Sequence, residues 1–235
     1  MAEATDVSCT AEAVWATLDE AWAEAFRQAW QALRTGNVPV GACVTTRNGR
    51  ILHAARNRVC DRTGPSGEVW GSQLAHAEIN ALARVPYRQH DDLVLTTTLE
   101  PCLQCAAAIR LARVATVRFA GGDRAWEGCH DFARLSPREA SRRQPVRYGP
   151  RDDEIGMFAV LMSRIGPGVS GRFEAWLRAA GEGATIDLGR RLQADGTLER
   201  LARLEVDAAF AQLWVTLRDL RSALASAREQ AAANA

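Results

Sequence analysis

A chain of 235 residues is longer than one average domain and shorter than two. With 47% apolar and 24% charged residues it has the make-up of a soluble globular protein, which excludes disordered, collagen-like and disulfide-scaffold chains. The formal charge of +1, from 29 basic against 28 acidic residues, excludes a nucleic-acid binder that works by bulk positive charge. All 29 cations are arginine. Arginine is the better phosphate fork, but total absence of lysine beside abundant alanine reads as base composition.

The first ten residues carry Glu3 and Asp6 and no cationic lead into an apolar run, so they do not read as a signal peptide. Nothing approaches the roughly 18 uninterrupted apolar residues of a membrane span. Cysteines stand at positions 9, 43, 60, 102, 105 and 129, and without a secretory signal they are expected as reduced thiols in the cytoplasm.

In chain order, apolar residues from Val14 to Leu33 recur at three- and four-residue steps, which predicts one amphipathic helix over 10–34 with Gly36 as its stop. Residues 38–46 and 51–55 predict two strands around the Asn48-Gly49 hairpin turn. A polar loop over 60–71 precedes a helix at 76–85, ended by Pro86. A strand at 93–99, a helix at 101–113 and a strand at 114–120 follow, then a looser stretch, a short helix from Pro137 and a strand at 146–148. Alternating strands and helices predict an α/β layered sheet that starts with an antiparallel hairpin. After Gly149-Pro150 the pattern is helical, over about 152–165, 170–180 and 198–225. Phe210, Leu213, Leu217, Leu220 and Leu224 form a seam on the last helix. Fewer than three heptads favour packing on its own domain over a dimer surface.

The chemistry concentrates in His76-Ala77-Glu78 and Pro101-Cys102-Leu103-Gln104-Cys105. Residues three apart share a helix face, so the sulfurs of Cys102 and Cys105 converge, and a helix N-terminus favours the thiolate that a metal binds. With the His76 imidazole they form a nitrogen–sulfur set suited to Zn²⁺, one ion per chain. Three ligands leave a position open for water, as catalytic sites do. A closed, structural site would draw a fourth ligand from Cys60, Cys129, His130 or His53. Glu78 favours the open site, because it is placed to accept a proton from water and pass it to a leaving group. For this His76 must sit at the very start of its helix.

H-x-E followed by P-C-x-x-C is the signature of zinc nucleobase deaminases. Residues 38–121 resemble the cytidine/deoxycytidylate deaminase superfamily, in the branch that holds tRNA adenosine deaminases, guanine deaminases and bacterial cytosine deaminases. Pro39-Val40-Gly41-Ala42, Asn57, Ala75-His76-Ala77-Glu78 and Leu99-Glu100-Pro101-Cys102-Leu103-Gln104-Cys105-Ala106 carry the resemblance, with 25 residues between His76 and Cys102. It implies a three-layer α/β/α fold with a mixed five-stranded sheet, its last two strands parallel and joined by a helix. A zinc deaminase domain would span 1–150, with an all-helical C-terminal extension over 151–235 packed on it. The resemblance also implies a homodimer, zinc on His76, Cys102 and Cys105, Glu78 as the catalytic acid/base, and Asn57, Ala77 and Trp126 at the substrate. Asn57 reads equally as a turn residue. Trp70 and Trp126 read as stacking lids or as ordinary half-buried aromatics. Glu100 reads as a structural hydrogen-bond partner.

The substrate is the least legible feature. Up to residue 150 there are 18 arginines against 16 acids, and beyond it 11 against 12, so neither part is basic. Arg134, Arg138, Arg142, Arg143 and Arg147 form one local cluster, either a phosphate strip or a solvated helix face, with the second favoured. After the strand that follows the cysteine helix, residues 121–132 depart from the small-residue run usual in tRNA adenosine deaminases. The expected reaction is therefore hydrolytic deamination of a free nucleobase, nucleoside or related small aminated heterocycle, releasing ammonia. A tRNA adenosine deaminase and a non-catalytic zinc-bearing partner subunit are the alternatives.

Overall fold

The computed structural model describes residues 10–86, 92–132 and 136–233, with side chains to residue 226. Cys9 and Arg134 lie outside the described residues. No described helix is long and apolar enough to cross a membrane.

The N-terminal helical pattern forms two helices where one was predicted: α1 (Ala11–Trp15) and α2 (Glu20–Arg34). Thr10 caps α1 and Asp19 caps α2, its carboxylate accepting from the Trp22 amide at 3.1 Å, so two good caps compete with one long periodicity. The break turns Trp15 into an aromatic cluster, 5.4 Å from Phe26 and 5.2 Å from Phe210 between ring centroids.

The hairpin β1 (Gly41–Thr45) and β2 (Ile51–Arg56) opens the sheet. Then come α3 (Ala77–Ala83), β3 (Val94–Leu99), α4 (Leu103–Leu111), β4 (Thr116–Gly121), α5 (Pro137–Ser141) and β5 (Val146–Tyr148). The five strands lie in the order β2-β1-β3-β4-β5. β1 is antiparallel to β2 and β3, whereas β3, β4 and β5 run parallel through helical crossovers. This is the mixed five-stranded sheet expected from the resemblance, including its parallel final pair.

Alternation on β1 sorts the two faces. Ala42 and Val44 pack with Ala77, Ala81 and Ile109 of α3 and α4, while Cys43 packs on Ala21 and Ala25 of α2. Helices therefore cover both faces, which gives the three-layer arrangement. Gly41 marks the closest approach of α2: a Cβ there would run into the Ala25 carbonyl and the Ala29 amide. Because backbone cannot yield as a flexible side chain does, Gly41→Ala is expected to lower stability by about 1–3 kcal/mol. A urea midpoint unchanged from the parent would contradict that packing.

The extension contains α6 (Glu154–Ile165), α7 (Gly171–Leu177), a π turn (Arg178–Glu182), α8 (Gly183–Ala194), α9 (Thr197–Leu201) and α10 (Val206–Ala233). α8 was not anticipated, as no helix was predicted between residues 180 and 198. Gly189 permits tight packing there, as its missing Cβ would sit 3.2 Å from Ile165 Cγ1 of α6. One apolar core joins Trp22, Phe26 and Trp30 of α2 with Phe158 and Leu161 of α6 and Phe210, Leu213, Leu217 and Leu220 of α10, with Leu224 packed against it. The seam on the last helix is thus buried within its own chain.

Candidate active site

The parallel strands β3 and β4 end at Leu99 and Gly121, and the chain just beyond their carboxyl ends lines a cavity of about 330 Å³. Crevices of this kind are where layered α/β sheets hold ligands. His76 is the N-cap of α3, which meets the requirement that it sit at the very start of its helix, and Glu78 lies on the first turn. Cys102 is the N-cap of α4 in extended conformation (φ −66°, ψ 174°), with Cys105 on the first turn. Pro101 therefore precedes the cap, and the helix begins at Leu103 and not at residue 101 as predicted. Both helices aim their positive ends at one point, which stabilises thiolate.

His76 Nδ1 lies 3.4 Å from Cys102 Sγ and 3.4 Å from Cys105 Sγ. A zinc ion with tetrahedral angles and ordinary Zn–S and Zn–N lengths puts ligand nitrogen and sulfur about 3.5 Å apart. The donor set and its spacing therefore fit the ion. Among the described residues this trio alone forms a metal-ligand group, without Cys60, Cys129, His130 or His53. Three ligands leave the open position.

Cys102 is held down to about 4, because the Cys105 thiol hydrogen-bonds to it and His76 adds a second contact. Its partner Cys105 is pushed up by that same bond and by burial. Burial also raises the Glu78 carboxyl above the ordinary range. Glu78 is 3% exposed, accepts from Thr97 Oγ1 at 3.1 Å through Oε1, and has Oε2 3.4 Å from Cys105 Sγ. Thr97, on a buried strand, orients the carboxylate, and no motif marked it.

Asn57 and Trp126 line the cavity with His76, Glu78 and Cys102. Asn57 Oδ1 accepts the Val59 amide at 3.0 Å, as a turn residue does, and Nδ2 has no hydrogen-bond partner among the described residues. Ala77 is buried in the core between α3 and the sheet, and its side chain is not on the cavity. Trp70 does not line the cavity either; its ring lies over Gly64 in its own loop. That loop is tied to the fold through Asp61, which accepts from Asn37 Nδ2 at 2.6 Å and from Arg56 Nη2 at 2.7 Å.

Glu100 is the structural partner expected of it, bonded to Arg147 Nη2 at 2.7 Å and to the Asp123 amide at 3.3 Å. Of the cluster's four described arginines, Arg142 and Arg147 are engaged by acids of the protein. Arg142 pairs with Glu139 at 3.1 Å, and the unanticipated Arg110 binds Glu139 and the carbonyls that close α5. Arg138 and Arg143 remain toward solvent. Sequence reasoning also missed part of the wall: Ser163, Arg164, Pro167, Gly168, Val169 and Phe173, all from the extension.

The profile described as the cytidine and deoxycytidylate deaminase zinc-binding region matches residues 16–121. A tRNA-specific adenosine deaminase of Aquifex aeolicus is 33% identical over 146 residues, which cover 60% of this chain and 91% of that protein. The chain belongs to the cytidine and deoxycytidylate deaminase family. The tRNA-specific adenosine deaminase 2 of Danio rerio is 35% identical over 117 residues, 46% of this chain and half of that protein's length. Among solved structures, a guanine deaminase from Nitrosomonas europaea is similar at 20% identity and a TM-score of 0.46, covering 70% of this chain and 96% of the other. This deaminase thus carries the family's zinc-binding region, and His76, Cys102 and Cys105 are positioned to bind the ion.

Proposed function

We propose that this deaminase hydrolyses the exocyclic amine of adenosine in tRNA, leaving a carbonyl and releasing ammonia. The observation that carries the chemistry is a buried carboxylate, Glu78, within 3.4 Å of one sulfur of a three-ligand zinc group. Adenosine in tRNA rests on the relatives from Aquifex aeolicus and Danio rerio, both tRNA-specific adenosine deaminases, and it displaces the free heterocycle expected from the sequence as the first reading. Bound zinc supplies the Lewis acidity that makes water nucleophilic near neutral pH. Glu78 takes one proton of the attacking water and delivers it to a ring nitrogen, then takes the second from the hydroxyl now on the ring carbon and gives it to the amine, which leaves as ammonia as the carbonyl forms. Thr97 holds its second oxygen. Asn57 Nδ2 donates to the bound base or its sugar, the first-turn amide of Ala77 supplies a backbone donor that the helix leaves unpaired, and Trp126 stacks on the ring. The protein acts in the cytoplasm as a homodimer in this reading.

A second reading, a free nucleobase or nucleoside, is favoured by two observations. Residues 163–173 of the extension wall the cavity, beyond residue 121 where the family match ends. Glu139 and Glu100 also engage Arg142 and Arg147, two of the cluster's four described arginines that would otherwise meet phosphates.

An ammonia-release panel of a tRNA anticodon stem-loop, adenosine, cytidine, guanine and cytosine separates the readings. The tRNA reading expects fastest turnover of the stem-loop, with KM rising steeply between 50 and 200 mM salt, as about 3–4 lost phosphate contacts would impose. A free compound turned over faster, with KM insensitive to salt, establishes the second reading instead. No ammonia from any arm, with zinc bound, leaves the non-catalytic partner subunit.

A further inference from the structure

Within the extension's wall, Arg164 has a costly environment. Its side chain is 3% exposed, between Asp123 at 5% and Glu182 at 10%. Nε donates to Glu182 Oε2 at 2.5 Å, and Nη2 to Glu182 Oε1 at 3.0 Å and Asp123 Oδ1 at 3.1 Å. Asp123 follows β4 at the carboxyl edge of the sheet. Glu182 arrives at the kink between α7 and α8, next to Gly181 at φ 90°. Three segments remote in sequence thus hold one guanidinium against the cavity, and a buried ion cluster stabilises a fold little better than apolar packing does. Nη1 is the one guanidinium nitrogen of Arg164 with no hydrogen bond among the described residues, and Asp123 Oδ2 also has none. Arg164 and Asp123 both line the cavity, and between them they keep one donor and one acceptor without a partner among the described residues.

We infer that Arg164 is a specificity-determining residue that donates through Nη1 to a lone pair in the plane of the substrate's heterocycle, with Asp123 as the neighbouring acceptor. The inference rests on the deaminase reading. The recognised chemistry is a ring nitrogen or carbonyl oxygen of the base, which a free base and a base within tRNA both offer.

The test takes whichever of the anticodon stem-loop, adenosine, guanine and cytosine the zinc-loaded wild type turns over fastest, together with its deaza analogues, in which one ring nitrogen becomes CH. Arg164→Lys keeps the charge but lacks the planar fork needed to hold Glu182 bidentately and still offer a third donor. Its KM is expected to rise about tenfold or more, with kcat within about threefold and the zinc content unchanged. For the analogue that lacks the recognised atom, the wild type should be as poor as the variant, so the penalty of the substitution disappears. Arg164→Met, which leaves two carboxylates unpaired, should unfold at lower urea, while the lysine variant reports on recognition in a folded protein.

A lysine variant with unchanged KM overturns the inference and leaves the deaminase reading standing. So does a lysine variant whose kcat and thermal midpoint fall together while its loss is equal on every substrate and analogue. A wild type inactive on every arm overturns both.

Discussion

Glu78→Gln is expected to reduce kcat by about 10²–10⁴-fold while binding one zinc per chain as the wild type does. The amide retains the volume of the side chain and an oxygen that can accept from Thr97 Oγ1, which lies 3.1 Å from Glu78 Oε1. It loses the ability to take up and release a proton. Because Glu78 is 3% exposed and burial penalises its charge, a neutral amide should not lower the thermal midpoint. Elemental analysis, a melt and an ammonia assay on one preparation separate the outcomes. A Gln variant with near-normal turnover removes Glu78 from the chemistry. A Gln variant without zinc makes the carboxylate a structural support of the metal group.

Phe158→Ala is expected to cost about 3–5 kcal/mol, the largest effect on stability of any substitution considered. Phe158 is 1% exposed and is ringed by aromatics: Phe210 at 5.5 Å, Phe26 and Trp30 at 6.1 Å each, and Trp15 at 6.5 Å between centroids. These rings come from both ends of the chain, so the cavity left by the substitution opens where the N-terminal helices meet the extension. For a protein of this size the loss corresponds to a fall of about 6–20 °C in Tm. A urea midpoint that drops while the slope is kept means the two ends unfold as one unit. A loss below about 1 kcal/mol would show that the site collapses around the missing ring, and that the extension is held elsewhere.

The metal trio was legible because each part of it is local. Cys102 and Cys105 meet through helical geometry across three residues, and His76 and Glu78 sit together because one caps a helix whose first turn holds the other. The sheet was legible for a similar reason, since the Asn48-Gly49 turn sets the hairpin and strands separated by helices run parallel. Trp70 stood open between a lid and an ordinary half-buried aromatic, because nothing in a loop's composition says whether its ring turns toward a cavity or back on a glycine. The break between α1 and α2 was missed where two caps outweighed one long periodicity, and α8 fills a stretch over which no helix was predicted.

By itself the sequence determined the candidate ligand set, the carboxylate beside it and the order of strands and helices, since these depend on spacings of a few residues and on short-range backbone preferences. Only the tertiary structure decided how the substrate cavity is walled. Arg164 comes to Asp123 and Glu182, and Phe173 to the same cavity as Trp126, through contacts between distant segments. Such contacts are selected by how whole faces pack and where buried charges find partners, and no local pattern encodes them.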